Sequence, residues 1–263
     1  MVNVPNPLRR YLFRKDFFRK IRGKFHFQMR KMLKDGYQDQ YRLFRDFGTI
    51  NIFDVGANVG DATQTYLKLF PQATIYAFEP FPDTVAELRR KLDDHSQVHV
   101  CPVALSDQVG MSELFISNAS VMNSLIQPIP SKAWGFGDTP ETVMVETQTV
   151  DQICADENLD EIQIMKLDVQ GGELKVLSGS KQLLSQGNIG LIYTEMLIVP
   201  LYEEQPLFHD LHSFLSKYDY SLFNLYSLRE SPLGQIRWAD AIFVGPKLRD
   251  RLTSKLGSGY CGW

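Results

Sequence analysis

The stretch that most restricts the fold is "INIFDVGANVGDATQTYL", residues 50–67. "INIFDV" is a short apolar run of strand length, "GANVG" is a turn through Gly56, Asn58 and Gly60, and "DATQTYL" opens an amphipathic helix. A strand that passes through a glycine turn directly into a helix is the first half of a β-α-β unit. Such units assemble into a parallel sheet with helices on its faces.

The remainder of the chain repeats the alternation. Strands are expected at Ile50–Val55, Thr74–Phe78, Val98–Pro102, Ile162–Leu167 and Gly190–Glu195. Helices are expected at Asp61–Leu69, Phe81–Leu92, Gly172–Ser178 with a continuation through Leu184, and Pro206–Lys217. Ser221–Tyr226 and Asp240–Val244 read as a hairpin that closes the sheet with an antiparallel edge. Between the third and fourth parallel strands, residues 106–149 read as an insertion of strand and loop. "MSELFIS" and "VMVETQTV" alternate, and the region between them is rich in proline and glycine. It contains Trp134 and Phe136, which suit either a sugar platform or a buried loop anchor.

Composition sets the outer limits. The chain has 263 residues, of which 44% are hydrophobic, enough for one large domain or one domain with an appendage. The net charge of -3 gives no general pull toward nucleic acid. Its cations crowd the start, where Arg9, Arg10, Arg14, Lys15, Arg19 and Lys20 mix with Tyr11, Phe13, Phe17 and Phe18. This divides the chain into a basic, aromatic, helical extension over 1–45 and a main domain over 46–263. The extension suits an anionic lipid surface as well as packing on its own domain or on a dimer mate. Three cysteines are scattered singly, as in a cytosolic protein with reduced thiols, and suggest no metal site. No apolar run reaches the roughly 18 residues of a spanning helix, so the expected location is cytoplasmic, with peripheral membrane contact open.

The turn at residues 56–60 departs from the dinucleotide pattern G-x-G-x-x-G, because Asn58 takes the middle glycine position. Asp54 precedes it, and two like charges about 4 Å apart cost roughly 4 kcal/mol at an effective dielectric near 20. A pyrophosphate is therefore disfavoured. S-adenosylmethionine has no phosphate and carries an ammonium and a sulfonium, so it suits an acid at this turn. Glu79, at the end of the second strand in "YAFEPF", is placed for both ribose hydroxyls. Ala104 and Ser106 in "VALSD" are placed near adenine. Asp168 ends the strand of "IMKLDVQGGELKVLSG" and Glu195 ends that of "LIYTEM". Both are candidate catalytic carboxylates, suited to proton transfer or, as a pair, to a hard cation. Glu173 is read as a first-turn acid, and His209 and His212 are given no role.

Taken together, "FDVGANVGDAT", "AFEPFPD", "PVALSD", "NSL" at 123–125, "ETQTVDQI", "MKLDVQGGELKVLSG" and "IYTEM" resemble the FkbM-type methyltransferases over residues 48–245. The resemblance implies a Rossmann-like, seven-strand class I methyltransferase sheet, mostly parallel with a reversed last strand. It also implies S-adenosylmethionine as donor and a hydroxyl oxygen of a sugar, glycan or natural product as acceptor. On this pattern Asp54, Gly56, Asn58 and Gly60 match the cofactor loop, Glu79 the ribose acid, Ala104 and Ser106 the adenine edge, and Asp168 the acid of the family's "DVEG" string. Gln170 stands where that string usually has Glu. The rival readings are a cofactor-binding adapter without catalysis and an NAD-dependent oxidoreductase, the second opposed by the glycine spacing and Asp54. Homo-oligomerisation stays open.

Overall fold

The structure is a computed structural model that describes residues 35–117, 120–129 and 141–256. The basic segment 1–34, Trp134, Phe136 and Cys261 lie outside the described residues. Helix α1 (Gly36–Phe44) leads into β1 (Asn51–Val55), α2 (Asp61–Leu69), β2 (Thr74–Phe78), α3 (Pro82–Leu92) and β3 (Val98–Cys101). The insertion carries β4 (Ala104–Leu105), β5 (Gly110–Ile116), a 3-10 turn (Ser120–Met122) and β6 (Glu141–Gln148). There follow α4 (Val150–Asp156), β7 (Ile162–Leu167), α5 (Glu173–Ser178), α6 (Lys181–Ser185) and β8 (Ile189–Leu197). The chain then forms α7 (Phe208–Ser216), β9 (Ser221–Glu230), β10 (Ile236–Val244) and α8 (Pro246–Leu256).

Seven strands form one sheet in the order β3-β2-β1-β7-β8-β10-β9. The pairings from β3 to β8 are parallel, whereas β10 is antiparallel to both β8 and β9. The reversed strand is thus the last in the chain, as expected, but it lies one place in from the edge, which β9 occupies. All six residues of β7 are buried, the near-continuous burial that a central parallel strand requires. Phe53, Met165, Ile192 and Phe243 pack on one face with side chains of α4 to α7. Ile52, Ile164, Leu191 and Ile242 pack on the other with α1, α2, α3 and α8.

Two helices, α4 and α8, were not expected, and α1 was read as part of the helical extension. Helix α1 falls in the compact unit Gly36–Trp263, so residues 36–44, grouped by sequence with the extension, pack on the sheet through Phe44. The hydroxyls of Tyr66 and Tyr226 donate to Gln40 and Asp39 of α1, at 2.9 and 2.7 Å. Helix α4 begins where an alternating strand was read. Thr149 caps it by accepting from the N–H of Gln152, at 3.1 Å, in a T-x-x-Q signature. Helix α8 starts on Pro246, suited to a first helical position. The helix expected to run from Gly172 through Leu184 instead breaks into α5 and α6 at Gly179. A Cβ there would lie 2.0 Å from the Ser106 carbonyl oxygen, so the close approach of the insertion to α5 requires glycine.

Candidate active site

Parallel strands bring the residues that follow β1, β2 and β7 to one edge of the sheet, the usual ligand edge of an open α/β fold. A cavity opens there. Gly56, Asn58, Glu79, Ala104, Ser106 and Asp168 line it. The structure thus gathers six of the nine residues proposed from sequence. Asp54, Gly60 and Glu195 are not among its lining residues.

Asp54 is completely buried, and its place explains why. It lies beside Lys166 in the β1–β7 register; the Lys166 ammonium is 3.0 Å from Asp54 Oδ1, while Oδ2 accepts from the Thr63 hydroxyl at 2.6 Å. Lys166 also donates to the Gly56 carbonyl at 2.9 Å and stands 3.7 Å from Asp168 Oδ2. Burial disfavours its charge, but Asp54 and Asp168 prevail and hold its pKa above the ordinary lysine value. The charge of Asp54 is therefore compensated inside the protein, which corrects the electrostatic step in the sequence argument. Asp54 is paired with Lys166 beneath the turn rather than exposed at the cavity surface. Gly60 ends that turn at the start of α2 and packs against Leu88.

Gly56 has a left-handed backbone, φ 74°, and a Cβ on it would lie 1.9 Å from the Asp168 carbonyl oxygen. Only glycine lets the turn after β1 and the loop after β7 approach so closely. Asn58, at φ 47°, turns its backbone N–H toward Glu79. The Glu79 carboxylate accepts that N–H at 3.0 Å on Oε2 and the Phe81 N–H at 3.0 Å on Oε1. Burial raises its pKa, opposed by these two bonds. Each oxygen keeps acceptor capacity, so a vicinal diol fits the residue. Nearby, Phe78, Val103, Ala104, Leu105 and Leu114 give the cavity an apolar side. The Ser106 N–H is committed to Gln148 O at 2.8 Å, and its hydroxyl donates to Asp107 Oδ1 at 3.1 Å. An acceptor for a ribose diol beside apolar surface for the base matches an adenosyl group, so the residues fit S-adenosylmethionine.

At the other end, the Asp168 side chain is about half exposed (46%). Gln170 Nε2 donates to Asp168 Oδ1 at 2.8 Å and to Glu195 Oε2 at 3.2 Å, so the two acids are bridged by an amide rather than paired directly. Burial, then Asp168, Glu173 and Asp240, push Glu195 up to about 8. Glu173 is buried and collects the N–H groups of Val169 and Gly171 on Oε1, each at 3.2 Å, which makes it the staple of this loop. Burial pushes it up to about 7 despite those bonds. The insertion closes the side of the cavity with Ser120, Asn123 and Ser124, the last donating to Gln170 O at 2.7 Å.

Sequence reasoning placed the 106–149 insertion near the site but did not weigh Lys166 or the Gln170 bridge. A lysine inside the apolar run "IQIMKL" was the available signal for the first, since a buried cation demands a partner. Among the described residues, no cluster of three or more His, Cys, Asp or Glu is placed to hold a metal, and no helix is long and apolar enough to cross a membrane.

The sequence profile of the FkbM methyltransferase domain matches residues 54–222. The chain is 32% identical over 164 residues to the 2-O-methyltransferase NoeI of Sinorhizobium fredii, covering 59% of this chain and 66% of that protein. It is 26% identical to the hexuronic acid methyltransferase AglP of Haloferax volcanii, over 60% of this chain and 62% of that one. It is also 26% identical to the 31-O-demethyl-FK506 methyltransferase FkbM of Streptomyces tacrolimicus, over 49% and 58%. In each case the match spans less than two thirds of the relative's length. With more than half of its residues inside the matched domain, the chain belongs to the FkbM family of S-adenosylmethionine-dependent methyltransferases.

Proposed function

We propose that this chain catalyses methyl transfer to a hydroxyl oxygen of a sugar, glycan or natural product. One observation carries the reading. A single cavity holds the buried Glu79 carboxylate, suited to a ribose diol, and the half-exposed carboxylate of Asp168, open to an acceptor. The names of the three relatives, two of them O-methyltransferases and one acting on a hexuronic acid, agree with an oxygen acceptor.

When bound, the donor supplies a sulfonium methyl already activated for displacement by an oxygen nucleophile. Glu79 accepts hydrogen bonds from the ribose hydroxyls, while the Asn58 and Phe81 N–H groups hold its carboxylate still. The apolar side from Val103 to Leu105 receives the base. Asp168 takes the proton of the acceptor hydroxyl, a step that general-base catalysis makes roughly 10²–10⁴-fold faster. Lys166, 3.7 Å away, faces that carboxylate, and residues 120–125 supply one wall of the cavity.

Thermal unfolding with S-adenosylhomocysteine, with NAD and with neither tests the donor site. Ligand at a hundred times its dissociation constant adds about 2.7 kcal/mol, roughly 5–10 °C in midpoint for a domain of this size. Stabilisation by NAD and not by S-adenosylhomocysteine would overturn the reading. Mass spectrometry of hydroxylated acceptors then tests transfer, and Asp168→Asn is expected to lower kcat at least a hundredfold with unchanged S-adenosylhomocysteine affinity. Tight donor binding with no transfer to any hydroxyl would favour the adapter reading instead.

A further inference from the structure

The Gln170 side chain holds three groups together at the acceptor end of the site. Its orientation follows from its neighbours. Oε1 accepts from the Tyr202 hydroxyl at 3.2 Å, and Nε2 lies between Asp168 Oδ1 and Glu195 Oε2 at 2.8 and 3.2 Å. A primary amide has two N–H donors, and each meets one carboxylate; the flipped amide would turn a carbonyl oxygen toward both acids. The Gln170 backbone is held as firmly. It is left-handed, at φ 52°, and its carbonyl accepts from the Ser124 hydroxyl at 2.7 Å. Such a conformation in a residue other than glycine persists only where its surroundings impose it. The Tyr202 hydroxyl also lies 3.3 Å from Met122 O, which ties this clamp to the insertion wall.

We propose that Gln170 is a positioning residue: its amide clamps Asp168 to Glu195 and so fixes the Asp168 carboxylate in the orientation that receives the acceptor's proton. This rests on the reading of Asp168 as proton acceptor. An amide can do this without titrating, whereas Glu at position 170 would place three carboxylates within hydrogen-bond range. Other charged and titratable groups face Asp168 from every packed element. They are Lys166 on its own strand, Asp54 on β1, Glu173 on α5, Glu195 on β8, Asp240 on β10, Tyr37 on α1 and Tyr202 after β8. None of them donates to Asp168 Oδ1 in place of Gln170.

Two variants test the clamp. Gln170→Gly removes the amide and relieves the left-handed backbone, so its fold is expected to survive. Its kcat should fall by about a hundredfold with unchanged KM for the donor, the cost of a misplaced reacting group. Gln170→Glu keeps the shape and adds a charge, so the acid limb of the kcat profile should move up by about one pH unit or more. A second readout needs no turnover. In ligand-free protein, the carbon-13 carboxyl resonance of Asp168, identified by its loss in Asp168→Asn, should move in Gln170→Gly, because the carboxylate loses its amide donor. Wild-type kcat, pH profile and carboxyl resonance in these variants would overturn the clamp. If the wild type methylates no acceptor, the functional reading falls, and an unmoved carboxyl resonance in Gln170→Gly still refutes the clamp while a moved one supports it.

Discussion

Replacing Lys166 by Met tests whether the turn around Gly56 is held by charge. The ammonium sits 3.0 Å from Asp54 Oδ1, both groups are buried, and at an effective dielectric near 20 their attraction is roughly 5.5 kcal/mol before desolvation. Removing the cation leaves Asp54 buried with one hydroxyl donor, Thr63, and frees the Gly56 carbonyl. Breaking a buried pair from one side costs about 3–5 kcal/mol, whereas neutral replacement of both partners is often close to neutral. Lys166→Met is therefore expected to lose about 3–5 kcal/mol, or roughly 6–20 °C in midpoint. The double variant Asp54→Asn, Lys166→Met should lie within about 2 kcal/mol of the wild type. Urea unfolding at pH 7, arranged as a double-mutant cycle, measures both. The reasoning fails if Lys166→Met stays within about 1 kcal/mol of wild type, or if the double variant loses the sum of the two singles.

Gly56→Ala places a Cβ 1.9 Å from Asp168 O at a left-handed φ, so circular dichroism should show loss of fold or a large drop in midpoint. Gly48→Ala, with nothing within 4 Å, is the neutral control. Glu79→Gln should weaken S-adenosylhomocysteine binding by calorimetry about tenfold or more, since the amide replaces a charged acceptor shared with two N–H donors; wild-type affinity would remove Glu79 from the site. Glu173 and Glu195, pushed up to about 7 and 8, bind protons in the folded state that the unfolded chain has released. Stability should therefore fall as pH rises from about 4.5 to 8 and level off above it, and Glu195→Gln should flatten that slope in urea titrations. A wild-type slope in the variant would assign the effect elsewhere.

What was legible in the sequence, and what was not, follows from the range of each interaction. Strand ends are read from local periodicity, and the fold then carries whatever follows them to one edge. Asp168 and Glu79 were therefore placed at the cavity without knowledge of any contact. The T-x-x-Q start of α4 was equally local and was overlooked because the strand before it alternates up to Val150. Asp54 is a different case. Its neighbour is 112 positions away, and the two meet only because β7 inserts beside β1 with Asp54 and Lys166 in register. Without that register an acid before a glycine turn looks like an open charge awaiting a cation, and the nearest cation to imagine is a ligand's. The structure supplies the cation from the protein. The donor preference therefore has to be argued from the diol acceptor and apolar surface around Glu79, not from the sign of the charge at Asp54. The same logic applies to Gln170. Its place two residues after Asp168 is visible in the string, but its consequence depends on Glu195 and Tyr202 arriving from β8 and the loop beyond, which no local pattern encodes.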